Sequence, residues 1–168
     1  SKGIILLGGP SRHFSWQPEK LIEQIDRILK RDKDISWTIA NSRRTPEIFS
    51  QLVETRLKRK IVYWSDVDND WLENELAQCG STWVTPDSIS MVYEALTTQG
   101  RVGIFDMNPL GGGGKVSSSI ERLVKAGRLG RSSLGSLLQQ RETFEPLQES
   151  HRCAQHIIDT WFKKSKSG

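Results

Sequence analysis

Apolar residues open the chain as one short, uninterrupted run. Residues 3–8 hold four aliphatic side chains in a row and are followed by Gly9-Pro10, a composition typical of turns. A run this short and this uniformly apolar predicts a strand buried on both faces, as the strands of parallel sheets are. The next segment, residues 18–31, spaces its aliphatic residues three and four apart and has Pro18 in its first turn. It therefore predicts an amphipathic helix.

The alternation of strand and helix continues along the chain. Strands that alternate with helices predict a parallel sheet with helices on both faces and right-handed crossovers. The predicted fold class is therefore α/β, a Rossmann-like domain. Further strands are predicted at residues 35–40, 61–64, 82–85 and 102–105, and further helices at residues 46–57, 70–78 and 88–98. Two or three more helices are expected to close the chain, the last of them at residues 146–162.

The length of the chain favours one domain. A chain of 168 residues can bury one sizeable core but is short for two. We therefore expect residues 1–168 to form a single Rossmann-like domain. The sequence has no initiator Met and enters its first strand almost at once, so we expect that the N-terminal half of the full protein is missing.

The charge balance favours a small anionic ligand. Lys and Arg number 24 against 20 Asp and Glu, which gives a net charge of +4. These basic residues are mixed with acidic ones, and no stripe of aromatic and basic residues is present, so we expect no nucleic-acid partner. Phosphate groups on a small molecule are the simpler interpretation.

Other compositional features exclude further classes of protein. No apolar run approaches the roughly 20 residues of a transmembrane helix, and the signal-peptide pattern is missing. Cys79 and Cys153 lack metal-ligand spacing and are expected to be reduced thiols of a cytoplasmic protein. The histidines share no ligand spacing with other residues, so neither a metal nor a cofactor is expected.

In doubly wound sheets, ligands bind beyond the carboxyl ends of the strands, so the loops there are the candidate sites. The first loop contains Gly8, Gly9 and Arg12. Glycines let the backbone approach a ligand closely, and Arg12 supplies a positive charge. An ordinary tight turn remains an equal alternative, because the GxGxxG fingerprint is missing. His13 follows directly and could face a ligand.

The second candidate loop is doubly basic. Ser42, Arg43 and Arg44 lie between a predicted strand and the N-terminus of a predicted helix. Guanidinium groups beside helix-terminal amides suit a phosphate or pyrophosphate, because the guanidinium fork matches two phosphate oxygens. A solvated basic loop is the alternative.

The third candidate loop leads into the helix predicted after residue 87. Asp87, or the threonine two residues before it, can cap that helix, while Ser88 and Ser90 can cap it or hold an anion. Glu94 lies further along the same helix, between apolar neighbours. If it faces inward, its carboxylate could accept hydrogen bonds from both hydroxyls of a ribose, and a solvent-facing orientation is equally open.

A glycine-rich loop at residues 111–114 superficially suggests a phosphate loop. It departs from that motif because Val116 stands where Ser or Thr is needed and Pro109 stands where the first glycine is needed. A flexible loop is the favoured interpretation.

Taken together, these motifs resemble the C-terminal domain of the Elm-type mitochondrial fission factor family and its bacterial relatives. The resemblance runs through most of the chain, and the segment at residues 85–95 is its most specific part. Residues 68–70, 80–81 and 99–102 depart from the family pattern, which leaves substrate details open. The segments that carry the resemblance are GGPSR at 8–12, SRRTP at 42–46, TPDSISMVYEA at 85–95 and, more weakly, SIERLVKAGRLGR at 119–131 and FEPLQE at 144–149.

The resemblance implies the C-terminal half of a metal-independent glycosyltransferase with a GT-B fold, which grips a nucleotide-sugar donor. It implies that Ser88, Ser90 and the amides around Ile89 hold the donor phosphates, and that Glu94 binds the ribose. Arg12, with Arg43 or Arg44, would neutralise the pyrophosphate. The resemblance assigns no catalytic residue here, because a general base would come from the N-terminal domain. We therefore expect this domain alone to be inactive.

A second hypothesis from the same resemblance is a non-catalytic adaptor. The plant relatives recruit a dynamin-like GTPase to mitochondria. By resemblance, this chain would then have a protein partner and would lie on the cytosolic face of mitochondria. Peripheral association with the membrane would also be open to it. The retained serines, glutamate and arginines favour the nucleotide-sugar hypothesis. A sugar-nucleotide epimerase is weaker, because neither GxGxxG nor YxxxK is present.

Overall fold

The computed structural model describes residues 1–112 and 114–137. Within them the chain forms one six-stranded sheet and five α-helices, with 3-10 turns at Trp64–Asp66 and Ser132–Leu134. The helix predicted at residues 146–162 lies outside the described residues. The strands are β1 Lys2–Leu6, β2 Ser36–Ala40, β3 Ile61–Val62, β4 Ser81–Val84, β5 Arg101–Ile104 and β6 Gly130–Arg131. The helices are α1 Pro18–Arg31, α2 Glu47–Leu57, α3 Trp71–Gln78, α4 Ile89–Leu96 and α5 Lys115–Lys125.

The strand order identifies the architecture. The strands lie side by side in the order β3-β2-β1-β4-β5-β6, and every neighbouring pair is parallel. This is the strand order of the doubly wound Rossmann fold. Strands β2 and β3 are added on one side of β1, and strands β4 to β6 are added on the other side, so the topological switch point lies between β1 and β4. The predicted α/β fold class is confirmed.

Both faces of the sheet are covered by helices. Ile4 and Leu6 of β1 pack into a core that includes residues of α3, α4 and α5, whereas Ile5 and Leu7 pack into a second core with α1 and α2. All four side chains are 3% exposed or less. The uninterrupted apolar run in the sequence therefore reports a strand that contributes to two cores at once.

Two elements differ from the sequence prediction. The strand predicted at residues 61–64 ends at Val62, because Trp64 begins a 3-10 turn. The short strand β6 was not predicted, because Gly130 and Arg131 carry no apolar run. They extend the sheet by pairing with Gly103 and Ile104 of β5.

Gly103 itself provides space for the second core. A Cβ atom at this position would lie 2.5 Å from the Trp83 ring and 2.7 Å from a Leu137 methyl group. Trp83 is fully buried and contacts Phe105 at a ring-centroid distance of 6.0 Å. The glycine in β5 is therefore needed because the fully buried Trp83 ring occupies the space beside it.

Candidate functional site

The loops that follow β1, β2 and β4 meet at the carboxyl ends of these neighbouring strands. Gly8 N–H donates to Thr85 Oγ1 at 2.7 Å, and Gly9 N–H donates to Asp87 Oδ2 at 2.9 Å. On the other side, Thr45 Oγ1 donates to the Gly8 carbonyl oxygen at 2.6 Å. The site is thus a hydrogen-bonded platform across the ends of three strands, at the topological switch point of the sheet.

The two glycines fit between their neighbours. A Cβ atom on Gly8 would overlap the Asp87 carboxylate, and one on Gly9 would overlap the carbonyl oxygen of Arg44. Both residues are buried, and their N–H groups are satisfied by Thr85 and Asp87. Gly8 and Gly9 therefore shape the floor of the site, rather than pointing free amides at a ligand.

Asp87 and Arg44 form an ion pair within this platform. Arg44 Nη2 donates to Asp87 Oδ2 at 2.8 Å, and the side chains are 44% and 0% exposed respectively. Burial raises the pKa of the Asp87 carboxyl, and the Thr85 hydroxyl, the Gly9 amide and the Arg44 guanidinium oppose that rise. The pair therefore joins a buried carboxylate to a half-exposed guanidinium.

An open cavity of about 390 Å³ lies above this ion pair. Its volume is within the range of small-molecule sites, about 300–1,000 Å³. It brings together seven of the residues that the sequence analysis selected, from three separate loops. These seven are Arg12, His13, Arg44, Asp87, Ser88, Ile89 and Ser90, and the remaining lining residues are Ser11 and Val116.

The N-terminus of α4 opens into the cavity. Ser88 is the N-cap residue, and its side chain makes no capping hydrogen bond. In the described part of the chain, the N–H groups of Ile89 and Ser90 have no backbone or side-chain acceptor. These free donors and the positive end of the helix dipole favour an anion at this position.

The prediction that Asp87 or Thr85 caps this helix is wrong, because Ser88 is the N-cap residue. The Thr85 hydroxyl accepts a hydrogen bond from Gly8. The Asp87 carboxylate turns away from α4 and accepts hydrogen bonds from Gly9 and Arg44 instead. The cause is the neighbouring β1 loop, which offers a buried N–H donor, and the sequence around residue 87 carries no sign of it.

The structure separates the two adjacent arginines. Arg44 lines the cavity, whereas the guanidinium carbon of Arg43 lies 5.0 Å from the centre of the Trp64 ring, and Arg43 does not line the cavity. This stacking is a cation–π contact. Ser42 donates its N–H to Thr45 Oγ1 at 2.9 Å, so it stabilises the loop that carries both arginines.

Of the two orientations left open for Glu94, the structure has the exposed one. Glu94 lies one helical turn after Ser90 on the same side of α4, but it is not among the residues that line the cavity. Partial desolvation raises the pKa of its carboxyl, and the carboxylate of Glu73 on α3 raises it further. Glu94 therefore lies beyond the rim of the cavity.

The loop after β1 crosses the sheet and pairs with the loop after β5. Phe14 forms an antiparallel bridge with Pro109, and Leu110 N–H donates to the His13 carbonyl oxygen at 2.8 Å. This pairing fixes the segment that carries Arg12 and His13 over the cavity. The sequence gives no periodic signal for such a contact between loops.

The glycine-rich loop also lies closer to the site than expected. It leads into α5, and Val116 in the first turn of α5 lines the cavity. Gly111 and Gly112 have φ values of 65° and 70°, which favour glycine. This loop follows β5, and β5 lies next to β4 in the sheet. In a parallel sheet, that position places the loop beside the loop after β4, and this relationship could have predicted its proximity to the site.

A second polar cluster lies at the end of β5. Burial alone would raise the pKa of Asp106, but hydrogen bonds from Ser132, Ser133 and Arg131 lower it. Asp106 Oδ2 accepts from Ser132 Oγ and Ser133 N–H, both at 2.8 Å. The Gln24 side chain accepts a hydrogen bond from the Asp106 N–H at 2.7 Å and donates one to the Asp106 carbonyl oxygen at 3.0 Å. The cluster anchors α1 and the segment after β6 to the end of β5.

Residues 1–112 and 114–137 contain neither a membrane-spanning helix nor a cluster of metal ligands. None of their helices is both long and apolar enough to cross a membrane. The same residues contain no group of three or more His, Cys, Asp or Glu side chains that could hold a metal ion.

The fold and site define a class: a Rossmann-like domain with a basic cavity at its topological switch point. The chain belongs to the family described as Mitochondrial fission ELM1, whose model matches residues 1–161. The family resemblance seen in the sequence motifs is thereby confirmed. No curated protein and no solved structure matches the chain significantly.

Proposed function

We propose that this domain binds the diphosphate of a nucleotide sugar in the cavity beside β1 and β4, as the donor half of a GT-B-type, metal-independent glycosyltransferase. The observation that carries the proposal is the convergence of Arg12, Arg44 and the free amides of α4 on one cavity. Each of these groups donates hydrogen bonds or carries positive charge, and all three come from different loops.

The electrostatics of the cavity support a diphosphate. Among the described residues, no acidic side chain pairs with Arg12, so its charge is available to a ligand. Guanidinium groups and a helix N-terminus can stabilise a leaving diphosphate without a metal ion. The ligand's phosphates would lie between Arg12 and Arg44 and over the first turn of α4.

The other predicted residues take supporting roles in this proposal. Gly8 and Gly9 give the floor its shape, and Ser42 holds the loop of Arg44. Glu94, one turn beyond Ser90, would reach a ribose that extends from the cavity along α4. No catalytic residue is assigned, because a general base would come from an N-terminal domain, and the domain alone is expected to be inactive.

The test is calorimetric titration with UDP, GDP, ADP and CMP and with the corresponding sugar nucleotides. We expect saturable binding of one base, weakened in Arg44→Ala and retained in Arg59→Ala. Arg59 is an exposed arginine before β3, at the opposite end of the sheet, so its removal changes the net charge equally. Equal losses in both variants would reduce the site to general electrostatic attraction, and lack of binding to every compound would contradict the proposal.

A non-catalytic adaptor is the second candidate, and two exposed apolar side chains favour it. Ile48 on α2 is 77% exposed and Trp64 is 45% exposed, beyond the ends of β2 and β3. Contiguous exposed apolar surface marks interaction sites, and in an adaptor these two side chains would contribute to such a surface. If the adaptor hypothesis is correct, the double variant Ile48→Ser, Trp64→Ala loses binding to a purified dynamin-like GTPase, and Arg44→Ala retains it. If both variants still bind the GTPase, the adaptor hypothesis for this surface is contradicted.

A further inference from the structure

Asp87 is an unusual residue to find beneath a cavity that favours anions. Its side chain is completely buried, and only Oδ2 makes hydrogen bonds of normal geometry, to Gly9 and Arg44. In the described part of the chain, Oδ1 has no partner at hydrogen-bond geometry, although the nearby Thr85 hydroxyl lowers the pKa of the carboxyl, which burial raises. A negative charge thus lies, incompletely paired, directly under the proposed phosphate site.

This arrangement does not favour stability. A buried charge is unfavourable unless it is fully hydrogen-bonded, and an ion pair with a half-exposed arginine offsets that cost only in part. An asparagine could accept the same hydrogen bond from Gly9 without a charge. The negative charge of Asp87 therefore needs a reason other than the integrity of the platform.

The position of Arg44 supplies that reason. A surface arginine has several rotamers, and holding it in one of them requires a fixed partner. Asp87 uses one edge of the guanidinium group, at Nη2, and a guanidinium has five N–H donors in all. The other donors remain available on the cavity wall to which Arg44 contributes.

We propose that Asp87 is the positioning residue of this site: it holds the Arg44 guanidinium at the cavity wall, ready to bind a ligand phosphate. The inference rests on the proposed function and goes beyond it, because it assigns the buried carboxylate to Arg44 rather than to the ligand. A pre-positioned arginine loses less conformational freedom when a phosphate binds, and affinity rises accordingly. Gly8 is part of the same device, since a Cβ atom there would displace the carboxylate.

The test is a double-mutant cycle with inorganic pyrophosphate as the probe. Dissociation constants are measured by calorimetry for the wild type, Asp87→Asn, Arg44→Ala and the double variant. We expect Asp87→Asn to weaken binding about tenfold and Arg44→Ala about ten- to hundredfold, from the loss of charge-assisted hydrogen bonds. The double variant should bind no more weakly than Arg44→Ala, because Asp87 acts through Arg44.

Thermal unfolding of the same variants separates positioning from a structural role. Asp87→Asn should unfold at the wild-type temperature or above, because it removes a buried charge. Arg44→Ala should unfold at a lower temperature, because it leaves that charge buried without its cation. The double variant should recover the stability lost in Arg44→Ala.

Arg44→Lys keeps the test decisive if Asp87→Asn does not fold. A lysine retains the charge but lacks the planar fork that can bond Asp87 and a phosphate together. We expect Arg44→Lys to weaken binding nearly as much as Arg44→Ala, and near-wild-type binding by Arg44→Lys would overturn the inference.

Three further outcomes would also overturn it. They are wild-type affinity in Asp87→Asn, additive losses in the double variant, and a lower unfolding temperature for Asp87→Asn together with weaker binding, which would assign the loss to a structural role. In each of these cases the loss of binding in Arg44→Ala would still support the proposed function. If the wild type binds neither pyrophosphate nor any nucleoside diphosphate, both proposals are overturned.

Discussion

Gly9 lies against the backbone of Arg44, so closely that any Cβ atom on Gly9 would overlap the Arg44 carbonyl oxygen. The two residues belong to the loops after β1 and β2, which are neighbouring strands. The contact sets how closely these loops approach each other. The position of the Arg44 side chain above the sheet therefore depends on a glycine 35 residues earlier in the chain.

Gly9→Ala should disturb both the fold and the site. The methyl group would push the loop of Arg44 away, and we expect a loss of about 1–3 kcal/mol in the free energy of unfolding, as for other overpacked positions. Diphosphate affinity should fall as well. Urea unfolding and calorimetry measure the two effects. Gly114→Ala is the matched control, because a Cβ atom on Gly114 meets nothing within 4 Å. Equal stability of the two variants would contradict this account.

Adjacent arginines should differ in their effect on binding. Arg44→Ala is expected to weaken diphosphate binding about ten- to hundredfold. Arg43→Ala removes the same charge but only a stacking contact with Trp64, so its effect should stay within about twofold. Titration with ADP or UDP and with the matching nucleoside measures both. An equal loss in the two variants would show that net charge, rather than position, determines affinity.

The sequence could not predict that Arg44 lines the cavity while Arg43 stacks on Trp64. Hydrophobic periodicity reports which face of an element is buried, and it predicted the sheet, the covering helices and the loops that carry Arg12 and Arg44. It carries no information about polar contacts distant in sequence, such as the one from Gly9 to Asp87 across 78 positions. The role of Asp87 and the separate positions of Arg43 and Arg44 follow from such contacts.

The same reasoning explains the missed edge strand. Gly130 and Arg131 have no apolar pattern, and their pairing with β5 accompanies the attachment of Ser132 and Arg131 to Asp106. A strand held by neighbouring polar anchors is invisible to a search for apolar runs. Glu94 is a related case, because apolar neighbours in the sequence did not reveal that its side chain is exposed.

Glu94→Gln should separate ribose binding from phosphate binding. If Glu94 accepts hydrogen bonds from a ribose, the variant should weaken nucleoside diphosphate binding several-fold and leave the affinity for inorganic pyrophosphate unchanged, because pyrophosphate has no ribose. Calorimetry with both probes provides the comparison. Unchanged affinity for the nucleoside diphosphate would remove Glu94 from the site.

The pH dependence of stability should reveal the buried charge of Asp87. Since burial raises the pKa of this carboxyl in the folded state, the folded protein binds the proton more tightly than the unfolded chain. Its favourable contribution is therefore complete below the unfolded value of about 3.9 and is lost as pH rises through the folded-state pKa. The stability of Asp87→Asn relative to the wild type should rise across this window, as followed by urea unfolding at several pH values. A constant difference would contradict it.

Asp106 should show the opposite pH dependence and have no direct part in binding. Hydrogen bonds lower its pKa, so it stabilises the fold above the unfolded carboxyl value, and that contribution is lost as pH falls through the folded-state pKa. Asp106→Asn should lower the free energy of unfolding by about 1–3 kcal/mol near neutral pH, because Ser132, Ser133 and Arg131 lose their charged acceptor. Pyrophosphate affinity should stay within about twofold of the wild type, since Asp106 does not line the cavity. A large loss of affinity in a folded Asp106→Asn protein would mean that the ligand site extends to the end of β5.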